Sequence, residues 1–304
     1  MTVALIGPSE DRELRAVATE LDARGTEWAV WDTDHWPGEV PLSFDVASGI
    51  RTTVSEPIQP DSLSAVYVRR IGFDLRNSDF ADELDTRPYS LVNQLTEYRG
   101  LLGSVLRYLD DRGIPIVNAP QTMAVHRLKP YQLARFADAG LPVPKTLTTN
   151  DPTAAMEFVE EVDEVIYKPV AGGGHARIVT AEDLEPDRLE RLSNAPVQFQ
   201  RRLDGTNYRL FVVDGDIVAT AHILSDNLDY RMGPHEVETI DPPAPVAAAA
   251  SRAADCLGLA FAGVDIIVTE DSFRILEANP SPMFATFDER AGTNVAGHLA
   301  EFLE

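Results

Sequence analysis

Lysine is nearly absent from this chain. Of its 26 basic residues only Lys129, Lys145 and Lys168 are lysine; the rest are arginine. Where arginine is used almost everywhere, the few lysines point to places that need a compact charge rather than a planar fork. Cysteine is rarer still. A single Cys256 excludes an internal disulfide framework and any multi-cysteine zinc site, which suits a reducing cytoplasm. No apolar run is long enough to cross a bilayer. The opening "MTVALIGPSEDREL" turns acidic instead of pairing basic residues with an apolar run, so no secretory leader is expected. Positive charge is short overall. The 49 acidic residues leave a net charge of -23, a surface that repels phosphate backbones and anionic lipid and argues against general nucleic-acid or membrane binding. An acidic surface suited to high intracellular salt explains this balance; a patch for a basic partner is the alternative.

Neither G-x-G-x-x-G nor G-x-x-x-x-G-K-[ST] occurs, so no dinucleotide fingerprint or Walker loop is present. What is present is a chain of 304 residues with 44% hydrophobic content, enough for about two domains with real cores. "TVALIG", "EWAVWD" and "LSAVYVRR" read as strands, and the stretch ending at Gly25 as an amphipathic helix. This alternation predicts a parallel α/β layer. Residues 72–87 are polar and aperiodic, which predicts a loop. Residues 90–111 predict a long helix, followed by the strand "IPIVN". A second unit is expected from about residue 119. "LKPYQLARFADAG" reads as a helix with Pro130 in its first turn, "DPTAAMEFVEEV" as another, and "EVIYKPV" as a strand running into "AGGGHA". From Pro196 the pattern turns β-rich. "YRLFVV" and "DIVATAHIL" are joined at Asp214-Gly215, a strong hairpin signal. An alanine-rich helix then precedes a final strand pair, "GVDIIV" and "FRILEANP".

Two places carry chemistry. Gly172, Gly173 and Gly174 directly follow the strand bearing Lys168. Consecutive glycines let backbone N–H groups close over phosphate, and a lysine in the preceding strand reaches the same oxygens. A flexible hairpin turn accounts for the triplet equally well. In the final strand pair, a three-residue turn at Glu270–Ser272 would set Asp265 directly opposite Glu277. Asn279 would lie on the same face, with Val264, Ile266, Val268, Leu276 and Ala278 on the other. Opposed carboxylates repel by roughly 0.2–1 kcal/mol. A divalent cation reverses that sign, and an all-oxygen set suits Mg²⁺ or Mn²⁺ rather than zinc. His126, His175, His222 and His235 have no metal spacing and are read as structural, and Cys256 as core. Arg69-Arg70 end a strand, where a substrate carboxylate or plain exposure explains them equally.

Residues from about 115 to 304 resemble the ATP-grasp superfamily, and within it the RimK-like carboxylate–amine ligases and the related graspetide peptide ligases. The likeness rests on four stretches in order: "NAPQTMAVHRLKPYQLARFADAGLPVPKTL", "VIYKPVAGGGHARIV", "FQRRLDGTNYRLFVVDGDIVA" and "FAGVDIIV…FRILEANPSP". It implies an α/β fold, α+β in its C-terminal part. A pre-ATP-grasp Rossmann-like domain would span 1–118, a central subdomain with the glycine loop 119–195, and a C-terminal subdomain with the metal site 196–304. It also implies ATP as substrate, with Lys129 and Lys168 as nucleotide lysines. Gln200, Arg201, Arg202 and Leu203 would form the adenine hinge, Arg209 would lie by the transferred phosphate, and Asp265, Glu277 and Asn279 would hold two Mg²⁺. Arg231 resembles an active-site arginine of the peptide-modifying branch, and a surface loop charge explains it nearly as well. The hinge departs from the family pattern at Arg201 and Arg202, and Asn207 stands where an acidic residue is usual, which puts nucleotide preference in question.

The implied reaction is ATP-dependent joining of a carboxylate to an amine through an acyl phosphate. The carboxylate would come from a small molecule, a peptide or a carrier-protein tail. An ATP-grasp kinase acting on a hydroxyl and a nucleotide-binding protein without turnover are the rival readings. Homo-oligomerisation stays open.

Overall fold

A computed structural model describes the chain apart from residues 34–41, 48, 55, 58–61, 72–79, 173, 226, 229–231 and 234–235. Contacts gather the chain into two units. One comprises Met1–Pro120, Met283–Ala285 and Asn294–Glu304, the other Gln121–Pro282 and Thr286–Thr293.

The first unit runs β1 (Thr2–Gly7), α1 (Arg12–Arg24), β2 (Trp28–Asp32), β3 (Leu42–Asp45), β4 (Gly49–Val54), β5 (Glu56–Pro57), β6 (Leu63–Val68), α2 (Ala81–Thr86), α3 (Pro88–Asp111) and β7 (Ile116–Val117). Strands β2-β1-β6-β7 form the expected parallel sheet, and β3-β4-β5 a small antiparallel one that the sequence pattern leaves unassigned. Helix α1 begins where the Asp11 carboxylate accepts the Glu13 and Leu14 N–H groups and ends at left-handed Gly25. It buries Leu14, Val17 and Leu21. Within the region expected to be a loop, Ala81–Thr86 is helical. This helix buries no residue, so it left no apolar period to read.

The second unit begins with α4 (Pro120–Met123), α5 (Lys129–Asp138), β8 (Thr146–Thr149), α6 (Pro152–Glu161), β9 (Val165–Pro169), β10 (Arg177–Ile178), α7 (Pro186–Leu189) and β11 (Val197–Arg201). It continues with β12 (Thr206–Val213), β13 (Asp216–Leu224), β14 (Glu236–Thr239), α8 (Ala244–Cys256), β15 (Phe261–Val268), β16 (Phe273–Asn279) and α9 (Ala285–Ala291). The last helix, α10 (Val295–Leu303), is assigned to the first unit, where Arg24 of α1 donates to the Gly297 carbonyl.

Among the described residues the second unit holds two antiparallel sheets. Order β10-β9-β11-β8 packs one face against α6 and α7, burying Phe158, Leu192 and Phe199. Order β14-β13-β12-β15-β16 packs against α5 and α8, burying Phe136, Ala250, Leu210, Val264 and Ile275. The Asp214-Gly215 hairpin has positive φ at both residues, 49° and 84°, as a type I′ turn requires.

The final hairpin differs from expectation in an informative way. Thr269 N–H bonds the Ser272 carbonyl at 2.8 Å, so the turn is tighter than three residues and Val268 pairs with Phe273. A bulge between Asp265 and Ile266 then takes up one residue and restores Asp265 opposite Glu277. The bulge also puts Ile275, not Leu276, in the core beside Ala278.

Candidate active site

Helix α5 starts at Lys129 with Pro130 in its first turn, where a missing N–H costs nothing. Its position against β16 is fixed by Gln132, a buried residue that the sequence pattern did not single out. The Gln132 amide donates to the Val125 carbonyl at 2.7 Å and accepts the Ala278 N–H at 2.9 Å. Together with the Pro142 carbonyl, which accepts Ile275 N–H at 2.9 Å, it satisfies outward N–H groups of edge strand β16. One turn before Gln132, Lys129 forms an ion pair with Glu277.

Strands β12, β15 and β16 carry Arg209, Asp265 and Glu277 in one row, because Arg209 pairs with Asp265 and Asp265 with Glu277. Arg209 grips Asp265 in a fork of two 2.7 Å hydrogen bonds. The expected carboxylate opposition is therefore present, but the expected net repulsion is not: each carboxylate has its own cation. Burial opposes the charge of Glu277, yet Lys129, Lys168 and Arg209 outweigh it and hold its pKa down at about 2.

Lys168 projects from β9, the strand of the other sheet that leads into the glycines. Its ammonium donates to Gln200 at 3.1 Å, and the Gln200 amide donates to the Thr146 hydroxyl at 2.9 Å. Gly172 has φ +84°, and a Cβ built there would lie 3.9 Å from Lys129 Cε, so the loop passes close to the first lysine. A Cβ on Gly174 would stand 2.8 Å from Pro169 Cγ, and only glycine fits without a shift. Gly173 and Arg231 lie outside the described residues.

At the end of β11, the Arg201 and Arg202 N–H groups are taken by the Lys145 and Glu164 carbonyls at 2.9 and 2.8 Å. Arg202 also faces Glu164 and Asp204 at 3.5 and 3.3 Å. Of the hinge N–H groups, those of Arg201 and Arg202 are thus already committed. Asn207 is half-buried on β12, two residues before Arg209. His126, set aside in the sequence, is brought to Asn279 and Glu277. Although part of the ring stays exposed, partial desolvation lowers its pKa, and Lys129 and Arg127 add to the effect against Glu277 and Asn279. Arg69, considered above as a substrate ligand, is instead occupied by Asp11 and Glu13 at 3.0 Å each. Cys256 packs half-buried against the α5/α8 core.

Among the described residues no three His, Cys, Asp or Glu side chains cluster as a complete metal site. Asp265, Glu277 and Asn279 nevertheless fit Mg²⁺. That ion is typically held by one or two carboxylates plus substrate phosphate oxygens, and all three side chains offer oxygen. The Asn279 side-chain oxygen accepts Ser281 N–H at 2.9 Å, which fixes its direction. Three cations beside three oxygen ligands can neutralise a polyphosphate and hold its counter-ion.

The RimK-like ATP-grasp domain profile matches residues 125–303. Tetrahydromethanopterin:alpha-L-glutamate ligase of Methanocaldococcus jannaschii is 28% identical over 259 residues, 80% of this chain and 87% of that one. Among solved structures, the ATP-grasp ligase PsnB complexed with a phosphomimetic variant of minimal precursor, Mg and ADP superposes with TM-score 0.90 at 35% identity. The superposition covers 99% of this chain and 97% of PsnB. The macrocyclase MdnC bound with precursor peptide MdnA, from Microcystis aeruginosa MRC, superposes with TM-score 0.83 at 26% identity, covering 100% of this chain and 99% of MdnC. The chain belongs to the RimK-like ATP-grasp family, whose members are ATP-dependent ligases that join a carboxylate to an amine through an acyl phosphate.

Proposed function

We propose that this chain is a peptide ligase: it activates a side-chain carboxylate of a peptide with Mg²⁺–ATP and closes an amide on an amine of the same peptide. The observation that carries this reading is the likeness to PsnB over 99% of the chain, first unit included, at an identity above that of the glutamate ligase. PsnB and MdnC were each solved with a precursor peptide.

A carboxylate is a poor acyl donor because its leaving group would be oxide. Transfer of the terminal phosphoryl group makes an acyl phosphate, which an amine attacks with loss of phosphate. Nothing here requires a protein nucleophile; positioning and charge neutralisation suffice. Lys129 and Lys168 meet the phosphates, Arg209 lies by the group in transfer, and the Leu203 N–H and hinge carbonyls meet adenine. Asp265, Glu277 and Asn279 would hold two Mg²⁺, with Mn²⁺ a substitute, and the ions would supply Lewis-acid neutralisation of the triphosphate. The sheet bearing Lys168, which includes β11 (Val197–Arg201), acts as the central lobe and the sheet bearing Asp265 as the C-terminal lobe. In this reading Gly173 belongs to the phosphate loop and Arg231 is an active-site arginine.

The test combines purified protein, Mg²⁺, ATP and a panel of acidic peptides carrying lysine. Mass spectrometry should show loss of one water per bond formed, with stoichiometric ADP. ADP release driven by free glutamate and a small-molecule acceptor, with no peptide changed, would instead favour the glutamate-ligase reading. Lys168→Ala should weaken ADP binding tenfold or more, about 1.4 kcal/mol. Lys145→Ala should change it little, because Lys145 is half-exposed and paired with Glu161. Equal affinities for the two variants in calorimetry would refute the lysine assignment.

A further inference from the structure

Sheet β10-β9-β11-β8 has two faces of opposite character. Val197 and Phe199 of β11 pack with Leu147 and Tyr167 against α6 and α7. By strand alternation Gln198 and Gln200 point the other way, and register sets Gln198 between Thr148 of β8 and Lys168 of β9. Gln200 is engaged at both ends of its amide, by Lys168 and by Thr146. Gln198 has no exposed surface, and among the described residues neither its amide nitrogen nor its amide oxygen has a hydrogen-bond partner. The hydroxyl of Thr148, its cross-strand neighbour, is likewise buried and without a partner among the described residues. A buried amide left unpaired works against folding. It persists most readily where a ligand completes it.

We infer that Gln198, with Thr148, is a specificity-determining pair that reads the purine base of the nucleotide. A primary amide offers a donor and an acceptor side by side, the arrangement that glutamine uses to meet two adjacent positions on an adenine edge. The pair lies beside Lys168 and three residues from Arg201, between the expected phosphate and hinge positions. A nucleotide held by Lys168 lies on the face of the sheet to which the amide points, across one strand pairing from it. Sites built to hydrogen-bond a ligand reject analogues that leave the buried groups unpaired. Base selectivity here thus comes partly from the strand face and not from the altered hinge alone. This inference rests on the proposed placement of the nucleotide along Lys168.

The test is calorimetry with ADP, UDP and pyrophosphate on the full chain, together with melting curves of the ligand-free protein. Gln198→Leu removes both polar atoms at similar volume. It should raise the ligand-free melting temperature, weaken ADP binding at least tenfold, narrow the ADP-over-UDP preference and leave pyrophosphate binding unchanged. Thr148→Val, an isosteric change, should act in the same direction by severalfold. An unchanged ADP-to-UDP ratio in both variants would overturn base reading. So would equal losses for ADP and pyrophosphate, which would mean that the amide serves the phosphates. A lower ligand-free melting temperature in both would show an amide satisfied within the protein itself and would overturn the inference as well. If Lys168→Ala leaves all three ligands bound as in the unmodified protein, the nucleotide placement fails. If it abolishes binding while Gln198→Leu has no effect, only the present inference fails.

Discussion

At the scale of single residues the site is a set of charges already matched to one another. Glu277 is paired with Lys129 and Asp265 with Arg209, so the cations suited to phosphate sit on the carboxylates suited to metal. Binding of a metal nucleotide would exchange partners, carboxylate to metal and ammonium to phosphate. Glu277→Gln should therefore free Lys129 and strengthen binding of ADP in EDTA, while removing most of the gain that Mg²⁺ confers. Calorimetry with and without Mg²⁺ reads both, and weaker metal-free binding would count against the exchange. The same pair predicts a pH dependence. Glu277 has a folded pKa of about 2, below its ordinary 4.5. Its contribution is present above about pH 4.5 and is lost as pH falls toward 2, with an upper bound of roughly 3 kcal/mol. Urea midpoints of the unmodified chain and Glu277→Gln should differ at neutral pH, the variant being weaker, and converge near pH 2. A more stable variant at neutral pH would mean that bare carboxylate repulsion governs after all.

Elements bring these residues together, and here sequence and structure diverge in particular places. Opposition of Asp265 and Glu277 was readable from strand alternation, although the turn itself was not: a tighter turn and a bulge compensate. Bulges follow from side-chain packing, here Ile275 taking the core position, and no local pattern announces them. The strands carrying Lys168 and Arg209 and the helix start at Lys129 were legible because apolar period, proline and turn signals agree. The cations on the carboxylates were not, since those contacts join residues far apart in sequence. Gln132 was hidden for the same reason: a glutamine on an amphipathic helix gives no sign that it faces inward. Gln132→Leu should strand the Val125 carbonyl and the Ala278 N–H, at about 1–3 kcal/mol for each group. It should also weaken ADP binding by loosening Lys129. A urea titration checks the first effect and calorimetry the second. A fully stable variant would show that neither group needs that amide.

Across the whole molecule the acidic excess cannot be paired away. Even if every basic residue met a carboxylate, 23 acids would be left over, and their mutual repulsion favours expanded states. Most of the cation–carboxylate pairs observed involve exposed side chains, such as Arg15 with Glu10 and Arg107 with Asp111. Each is worth about 0–1 kcal/mol and is itself weakened by salt. The two salt effects therefore oppose each other. Repulsion among unpaired acids reaches over the whole surface, whereas the pairs act at contact and the best of them are half-buried and poorly screened. Screening should remove more repulsion than attraction. Raising KCl from about 0.1 M to about 1 M, which shortens the Debye length from ~10 Å to ~3 Å, should raise the melting temperature. Sodium chloride should act equally, because screening depends on ionic strength and not on the cation. A melting temperature that falls steadily with salt would mean that ion pairs outweigh the acidic surface, and would remove the case for a protein suited to high internal salt.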